Sequence, residues 1–340
     1  SSSSTGQGRD HNRSRYTGSM SPTMLRAPPV RQRLLAWYRT HHRRLPWRAT
    51  HDPYRIMISE VMLQQTQVER VVPKYHEFLT RFPSLAALAE APPSEVIRAW
   101  SGLGYTRRAL NLERAARAVM DDHGGQMPSD VGALRRLPGI GAYTAGAIAC
   151  FAWRQDVGFV DTNIRRVLHR VVAGPELPEP SMTPAEIERL AQGLVPPGEG
   201  YEWNQALMEL GATICRARRV ACEACPLADV CAARPTIDLV LAEQPRRRGT
   251  GEPKFETTNR YMRGRIVDTL RAAPAVGLTA DEVLARMPNG AHKPDAERVL
   301  SLLDVLVAEG MVTRERQVAE DTAPYDSASV SAAERYRLPD

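Results

Sequence analysis

The sequence predicts a mainly α fold followed by a small winged-helix-like unit of mixed α/β type. From Leu25 to about Ala233, apolar residues recur three and four positions apart in segments that Pro or Gly interrupts, a pattern typical of amphipathic helices. No stretch alternates polar and apolar residues for long enough to predict a central sheet. After residue 258, three helical patterns precede two short segments that we expect to pair as a hairpin.

The helical pattern divides the first region into separate segments. They cover residues 30–41, 58–72, 85–91, 94–100, 107–121, 130–137, 143–153, 162–172 and 184–193. Residues 1–23 are rich in Ser, Arg, Gly and Thr and predict a disordered tail. Residues 235–258 are polar and contain Pro and Gly, which predicts a linker. We therefore expect a helical domain over residues 24–234 and a C-terminal domain over residues 259–340.

The C-terminal region carries its own start and stop signals. Residues 261–271 show a helical pattern, and Thr279 to Glu282 have the spacing of a capping box at the start of a second helix. Apolar residues between 299 and 306 mark a third helix. Residues 311–317 and 334–338 are the expected hairpin strands. Three helices and a hairpin predict the winged-helix-like unit.

Charge is distributed unevenly along the chain, whose net charge is +6. Residues 1–249 contain 33 Lys+Arg and 24 Asp+Glu, whereas residues 250–340 contain 12 and 15. Contacts with an acidic partner such as DNA are therefore expected from the helical domain. No apolar run is long enough for a membrane span, and the first residues lack the apolar core of a signal peptide. We expect a cytoplasmic, monomeric protein.

Four of the five cysteines form a cluster with the spacing C-x6-C-x2-C-x5-C. They are Cys215, Cys222, Cys225 and Cys231. Four thiolates on one loop can enclose an iron–sulfur cluster or a metal ion. Structural zinc and unligated thiols are the alternatives, but zinc sites usually pair two short Cys knuckles across a longer gap. The fifth, Cys150, lies in an apolar helical segment and is expected in the core.

A glycine-containing turn and an aspartate precede the cysteines. Leu137-Pro-Gly-Ile-Gly141 lies between two helical segments, where Gly139 and Gly141 permit a tight turn whose N–H groups can bind a phosphate. Asp161 opens the next amphipathic helix. Its simplest interpretation is an N-cap.

Taken together, the hairpin, the aspartate and the cysteine loop resemble the helix-hairpin-helix, Gly/Pro-Asp superfamily of base-excision DNA glycosylases, and the cysteine spacing resembles the [4Fe–4S] loop of its endonuclease III branch. This resemblance implies a two-lobed helix-hairpin-helix glycosylase fold with an iron–sulfur loop. Residues 45–48 (LPWR) and 58–68 (ISEVMLQQTQV) resemble the MutY-type adenine DNA glycosylases. The likeness continues through residues 102–105, 137–148, 160–163 and 203–211.

The resemblance implies a role for each matching residue. Such enzymes hydrolyse the N-glycosidic bond of adenine mispaired with 8-oxoguanine or guanine in double-stranded DNA. Glu60 matches the acid that protonates adenine at N7, and Asp161 matches the carboxylate that stabilises the sugar cation. Tyr143 and Asn163 match the polar groups beside them. The remaining matches are the adenine-reading Gln205, the pocket residues Trp47, Arg48, Leu63 and Val68, and the DNA-contacting residues Gln65, Tyr105, Gly139 and Gly141.

Several alternatives stay open at this point. Without the resemblance, Glu60 is interpreted as a solvated charge on a helix and Gln205 as an exposed helix residue. Trp47 and Tyr105 are then interpreted as residues of the core. Tyr143 occupies the place of the lysine of endonuclease III-type lyases, which disfavours an AP lyase. A thymine–guanine mismatch glycosylase and a non-catalytic iron–sulfur DNA-binding protein remain as other functions. No Phe-Ser-His, the 8-oxoguanine-reading loop of many MutY-type enzymes, occurs in residues 250–340.

Overall fold

The computed structural model of the chain is mainly helical, as the sequence predicts. It describes residue 25 and residues 27–244, 255–287, 295–317 and 333–340. The predicted tail, residues 1–23, lies outside the described residues. Among the helices of the described part, none is both long and apolar enough to cross a membrane.

The secondary structure elements follow one another in this order. The helices are α1 (Pro28–His41), α2 (Pro53–Leu63), α3 (Val68–Arg81), α4 (Leu85–Ala89), α5 (Pro93–Ala99), α6 (Arg107–His123), α7 (Val131–Arg136), α8 (Ala142–Trp153), α9 (Thr162–Val172), α10 (Pro184–Leu194), α11 (Gly200–Thr213), α12 (Ile237–Glu243), α13 (Asn259–Arg271), α14 (Ala280–Arg286) and α15 (Ala296–Ala308). The strands are β1 (Thr313–Gln317) and β2 (Ala333–Arg337).

Residues 58–72, predicted as one helix, form the end of α2 and the start of α3 instead. Between these helices Gln65 has a backbone φ of 55°, in the left-handed region that cannot continue a right-handed helix. The prediction was wrong because the apolar spacing runs on across the break. The side chain that binds the turn, Arg108, lies 44 residues beyond Gln64 and gives no local signal.

The chain divides into two compact units, each built from two stretches of sequence. Among the described residues, the first unit comprises residue 25 and residues 27–44 and 149–244. Helices α1, α9 and α11 pack together in it, and their apolar faces bury Leu34, Val167 and Trp203. The sequence pattern did not single out α11 or α12. Helix α12 lies within the segment predicted as a linker.

The second unit comprises, of the described residues, 45–148, 255–287, 295–317 and 333–340. The C-terminal helices share a core with α5 and α6, since Ile97 and Leu110 belong to the same buried cluster as Ile266, Leu303 and Tyr336. Backbone contacts join the same parts of the chain, with the N–H of Ser94 donating to the carbonyl of Pro339 at 2.9 Å. The C-terminal elements therefore pack on helices α5 and α6.

Within this C-terminal part the predicted winged-helix-like elements are confirmed. The side chain of Thr279 accepts from the N–H of Glu282, and the Glu282 carboxylate accepts from the N–H of Thr279, which completes the capping box of α14. Strands β1 and β2 pair in antiparallel register with Thr313 opposite Arg337. Helix α15 ends before Gly310, whose φ of 71° suits glycine.

Candidate active site

Glu60 is a buried carboxyl on α2, with 2% of its surface exposed. The hydroxyl of Tyr143, near the start of α8, donates a hydrogen bond of 2.6 Å to its Oε2. The interpretation of Glu60 as a solvated surface charge is therefore wrong. Burial penalises the charged form of a carboxyl that has lost its water. Glu60 and Tyr143 thus form a pair in which a hydroxyl fixes the orientation of a buried carboxyl group.

Local signals and core packing fix the position of α2. Asp52 caps the helix by accepting the N–H of Tyr54 at 2.9 Å, and Pro53 occupies its first turn. Met57, Ile58 and Met62 are completely buried. The apolar surroundings of α2 therefore hold Glu60 away from solvent.

The predicted hairpin connects α7 to α8. Gly139 has a φ of 74°, and a Cβ at this position would lie 2.6 Å from the Cβ of Asn111. Only glycine therefore fits this position without displacing its neighbour. Both Gly139 and Gly141 are exposed, as a phosphate-binding turn requires.

Two other turns carry the residues predicted to contact DNA. Gln65 is exposed between α2 and α3, and Tyr105 is 36% exposed just before α6. Both have left-handed backbones, with φ values of 55° and 46°. This conformation is uncommon for residues other than glycine and requires support from the surrounding structure. The core-packing alternative for Tyr105 is therefore wrong.

Arg108, which sequence reasoning missed, supplies that support. Its guanidinium donates to the carbonyls of Val61, Met62 and Gln64 and to the carbonyls of Leu103 and Gly104, at 2.5–3.1 Å. One buried side chain thus binds the turns of both Gln65 and Tyr105. Burial lowers the pKa of Arg108 to about 10, which leaves it charged at neutral pH. Nothing local in the sequence distinguishes it from an ordinary helix residue.

Replacing Arg108 with Met should destabilise the protein by about 2–4 kcal/mol, because charged hydrogen bonds to buried carbonyls are lost. Urea unfolding measures this change. The neighbouring Arg107 is exposed, so Arg107→Met should change the unfolding free energy by less than about 0.5 kcal/mol. Equal effects of the two substitutions would contradict the assigned role of Arg108.

The predicted pocket residues differ in their surroundings. Trp47 is buried and packs edge-on against Tyr75, with ring centres 5.5 Å apart, so the core-packing alternative describes this ring as well. Arg48, Leu63 and Val68 are only partly buried. Part of each of these three side chains is therefore exposed and accessible to a ligand.

Asp161 belongs to the first unit and caps α9. Its Oδ1 accepts the N–H of Ile164 at 2.6 Å, and its Oδ2 accepts the side-chain amide of Asn163 at 2.8 Å. The N-cap interpretation is therefore confirmed. The same two bonds fix the orientation of the carboxylate, so capping and a chemical role are compatible.

A second arginine missed by sequence reasoning, Arg166, holds Asn163. It donates to Asn163 Oδ1 and to the carbonyls of Gly211 and Cys215, each at 2.7 Å. A Cβ on Gly211 would lie 2.6 Å from the Cβ of Asn163. Glycine thus permits close packing of α11 against α9, and Arg166 connects the support of Asp161 to the cysteine loop.

Gln205 lies on α11 and is 4% exposed. Its interpretation as an exposed helix residue is therefore wrong. A buried amide needs hydrogen-bond partners, because an unpaired polar group in the interior costs free energy. This placement is compatible with reading the edge of a base.

The four clustered cysteines line one cavity, together with apolar side chains that include Val167, Leu210 and Ile214. No group of three His, Cys, Asp or Glu side chains in the described part of the chain is placed to hold a single metal ion. A [4Fe–4S] cluster takes one thiolate from each Cys around a larger body. The donor set and the apolar walls therefore fit such a cluster.

The electrostatics of the loop depend on what its thiols bind. Burial raises the pKa of Cys225 to about 12, so its thiol stays protonated unless positive charge is supplied. Cluster iron supplies such charge to its thiolate ligands. Arg170, which is 1% exposed, donates to the carbonyls of Arg216 and Ala217 at 2.8 and 3.0 Å and holds the start of the loop.

Replacing Cys225 with Ser should abolish the visible absorption of an iron–sulfur cluster and lower the melting temperature. Elemental analysis of the wild-type chain should give about four irons per chain. Cys150 is buried on α8, outside the loop, so Cys150→Ala should retain the full iron content. One zinc and no iron per chain would show that the site is a zinc site.

Comparisons with known proteins agree with this architecture. Residues 58–193 match the model of the HhH-GPD superfamily base excision DNA repair proteins. The chain is 42% identical to an adenine DNA glycosylase of Mycobacterium tuberculosis over 284 residues, which are 83% of this chain and 89% of that protein. It is 42% identical to the adenine DNA glycosylase of Homo sapiens over 214 residues, 60% of this chain and 39% of that protein.

Solved structures show the same fold. A thermostable thymine-DNA glycosylase superposes with a TM-score of 0.58 at 32% identity, covering 63% of this chain and 98% of that one. An endonuclease III bound to DNA superposes with a TM-score of 0.56 at 20% identity, covering 64% and 99%. The chain is therefore a base-excision repair protein of the HhH-GPD superfamily. Because the similarity to the mycobacterial protein spans most of both chains, it belongs within that superfamily to the MutY-type adenine DNA glycosylases.

Proposed function

We propose that this protein removes adenine mispaired with 8-oxoguanine or guanine from duplex DNA by hydrolysis, leaving an abasic site. The observation that carries the proposal is the buried Glu60 carboxyl held by the Tyr143 hydroxyl at 2.6 Å. Adenine is a poor leaving group as an anion. A positioned acid that protonates it at N7 makes it a good one.

Asp161 is assigned to the sugar. Breaking the bond between C1′ and adenine leaves positive charge on the ring, which a fixed carboxylate stabilises. The bonds from Ile164 and Asn163 orient its two oxygens before the reaction. Adenine leaves with the proton received from Glu60, a water molecule then adds to C1′, and the proton that this water loses returns to the Glu60 carboxylate.

Hydrolysis is favoured over lyase chemistry because the hairpin carries Tyr143 where a lyase would need an amine. The chain has three lysines, Lys74, Lys254 and Lys293. Lys74 pairs with Glu77 on α3, and the other two lie outside the described residues. An abasic site without a strand break is the expected product.

Base recognition requires adenine to leave the helical stack. We assign reading of its edge to Gln205, because an amide matches the donor and acceptor of adenine. The partly buried Arg48, Leu63 and Val68 are assigned to the pocket wall. Gln65 and Tyr105 are assigned to the space in the duplex that the base vacates.

DNA backbone contacts are assigned to the hairpin turn and the cysteine loop. Gly139 and Gly141 are exposed, and their backbone is suited to bind a phosphate. The exposed arginines 216, 218 and 219 follow Cys215. Bound through its four cysteines, a [4Fe–4S] cluster would hold this basic loop in a fixed conformation. We assign a structural role to such a cluster.

A thymine–guanine mismatch glycosylase is the second candidate, because a thymine-DNA glycosylase is among the structures with the same fold. A single-turnover assay on duplexes carrying A opposite 8-oxoguanine, A opposite G, A opposite C and T opposite G separates the two functions. Alkali-dependent breaks at A are expected, and the ratio of the rates opposite 8-oxoguanine and opposite G measures whether 8-oxoguanine is read without a Phe-Ser-His loop. Breaks only at T would replace the proposed function with thymine repair.

A further inference from the structure

Most arginines of the C-terminal part of the chain are neutralised by nearby carboxylates. Arg263 pairs with Glu309, and Arg271 pairs with Asp268. Arg314, Arg335 and Arg337 pair with Asp304, Glu282 and Glu315. Residues 250–340 contain 12 basic and 15 acidic residues, a net charge of −3. A local positive surface can still exist in this part of the chain where an arginine lacks a carboxylate partner.

Arg260, on the first turn of α13, is such an arginine. It is exposed, and among the described residues the ion pairs of α13 are formed by Arg263, Arg265 and Arg271 and not by Arg260. Its guanidinium carbon lies 3.9 Å from the centre of the Tyr105 ring and 5.6 Å from that of Phe255. Two aromatic rings therefore hold this cation in place by cation–π contacts rather than by a salt bridge.

The position of Arg260 matters because of what surrounds it. Phe255 is 57% exposed and Tyr105 is 36% exposed, so the cation lies in an exposed aromatic patch. Arginine combined with exposed aromatic rings is typical of surfaces that bind nucleic acid. When a guanidinium stacks face-on against an aromatic ring, its N–H groups point outward in the plane of the guanidinium. There they can donate to the oxygens of a phosphate.

We propose that Arg260 extends the DNA-binding surface into the C-terminal part of the chain and binds a backbone phosphate next to the point where Tyr105 enters the duplex. The proposal rests on the proposed function for the role of Tyr105. Its occupant is the phosphodiester backbone of double-stranded DNA. Contact with Tyr105 reduces the side-chain freedom that Arg260 must lose on binding.

Salt-dependent binding tests this assignment without requiring catalysis. The full-length protein is titrated by fluorescence anisotropy against a duplex with 2′-fluoro-deoxyadenosine, which resists cleavage, opposite 8-oxoguanine. Arg260→Gln should make the slope of log affinity against log salt shallower by about 0.9, the value for one phosphate contact. Between 50 and 200 mM salt, this slope difference is about a threefold change in relative affinity.

Two further variants make the result specific. Arg260→Lys keeps the charge and should keep the wild-type slope. Arg265, five residues on along α13, pairs with Asp268, so Arg265→Gln should also keep that slope. An unchanged slope for Arg260→Gln, or an equal loss for Arg265→Gln, would overturn the proposal.

The failure of the proposed function would look different. A wild-type chain that binds the duplex but releases no adenine would remove the proposed function, while the slopes would still decide whether Arg260 binds phosphate. A wild-type chain that binds no duplex would remove both. Thermal melting of each variant confirms that it is folded, which is expected because Arg260 is exposed.

Discussion

Glu60→Gln should bind mismatched duplex within about threefold of wild type and release adenine about 10²–10⁴-fold more slowly, the usual contribution of a general acid. Glutamine has nearly the same shape, and its carbonyl can still accept the bond that Tyr143 donates to Glu60 at 2.6 Å. It has no acidic proton to give to N7. Single-turnover rates at saturating enzyme and anisotropy titrations measure the two effects separately.

Another buried carboxyl provides the control for Glu60. Glu113 on α6 is 3% exposed and pairs with Arg117, and burial raises its pKa. Glu113→Gln should therefore change the stability of the fold while leaving the single-turnover rate within a few-fold of wild type. If Glu60→Gln retained the wild-type rate, Glu60 would have no place in the chemistry.

Asp161→Asn should lower the rate of adenine release by at least about 10²-fold, because it removes the negative charge assigned to the sugar cation. Asparagine caps helices about as well as aspartate, so the unfolding free energy should change by less than about 1 kcal/mol. Single-turnover kinetics and urea unfolding measure these two quantities on the same preparation.

Asp130 offers a matched control for the capping role. It caps α7 by accepting the N–H of Ala133 at 2.7 Å. Asp130→Asn should match Asp161→Asn in stability and leave the rate at the wild-type value. A rate that falls equally in both variants, or in neither, would show that Asp161 acts only as a cap.

Local sequence signals predicted much of the fold. Helix starts such as Asp161 and Thr279 have capping chemistry that depends on the next three residues, and the structure has both caps. The turn at Gly139 likewise follows from residues beside it. Such features were predictable because the atoms that form them are neighbours in sequence.

The features that sequence analysis missed depend on distant partners. Arg108 stops the helical pattern at Gln64 from 44 positions away, and Arg166 joins Asn163 to a carbonyl 49 positions away, that of Cys215. The C-terminal helices share a core with Ile97, which is likewise distant from them in sequence. An amphipathic pattern tells which face of a helix is buried, but not which element covers it.

The wrong interpretations of Glu60 and Gln205 have a common cause. Each is a polar residue in a helix, and such residues are usually exposed. Here they are 2% and 4% exposed. The resemblance to the MutY-type enzymes singled them out, whereas composition and periodicity alone favour a solvated helix face. Buried polar groups of this kind are candidates for function because their burial costs free energy.

The most direct test of the account is to measure free adenine released in a single turnover from a duplex with A opposite 8-oxoguanine. We predict one adenine for each abasic site, no strand break until alkali is added, and no covalent complex on borohydride reduction. If thymine were released from T opposite G, and no adenine from A opposite 8-oxoguanine or A opposite G, adenine would not be the substrate. A trapped covalent complex would contradict hydrolysis.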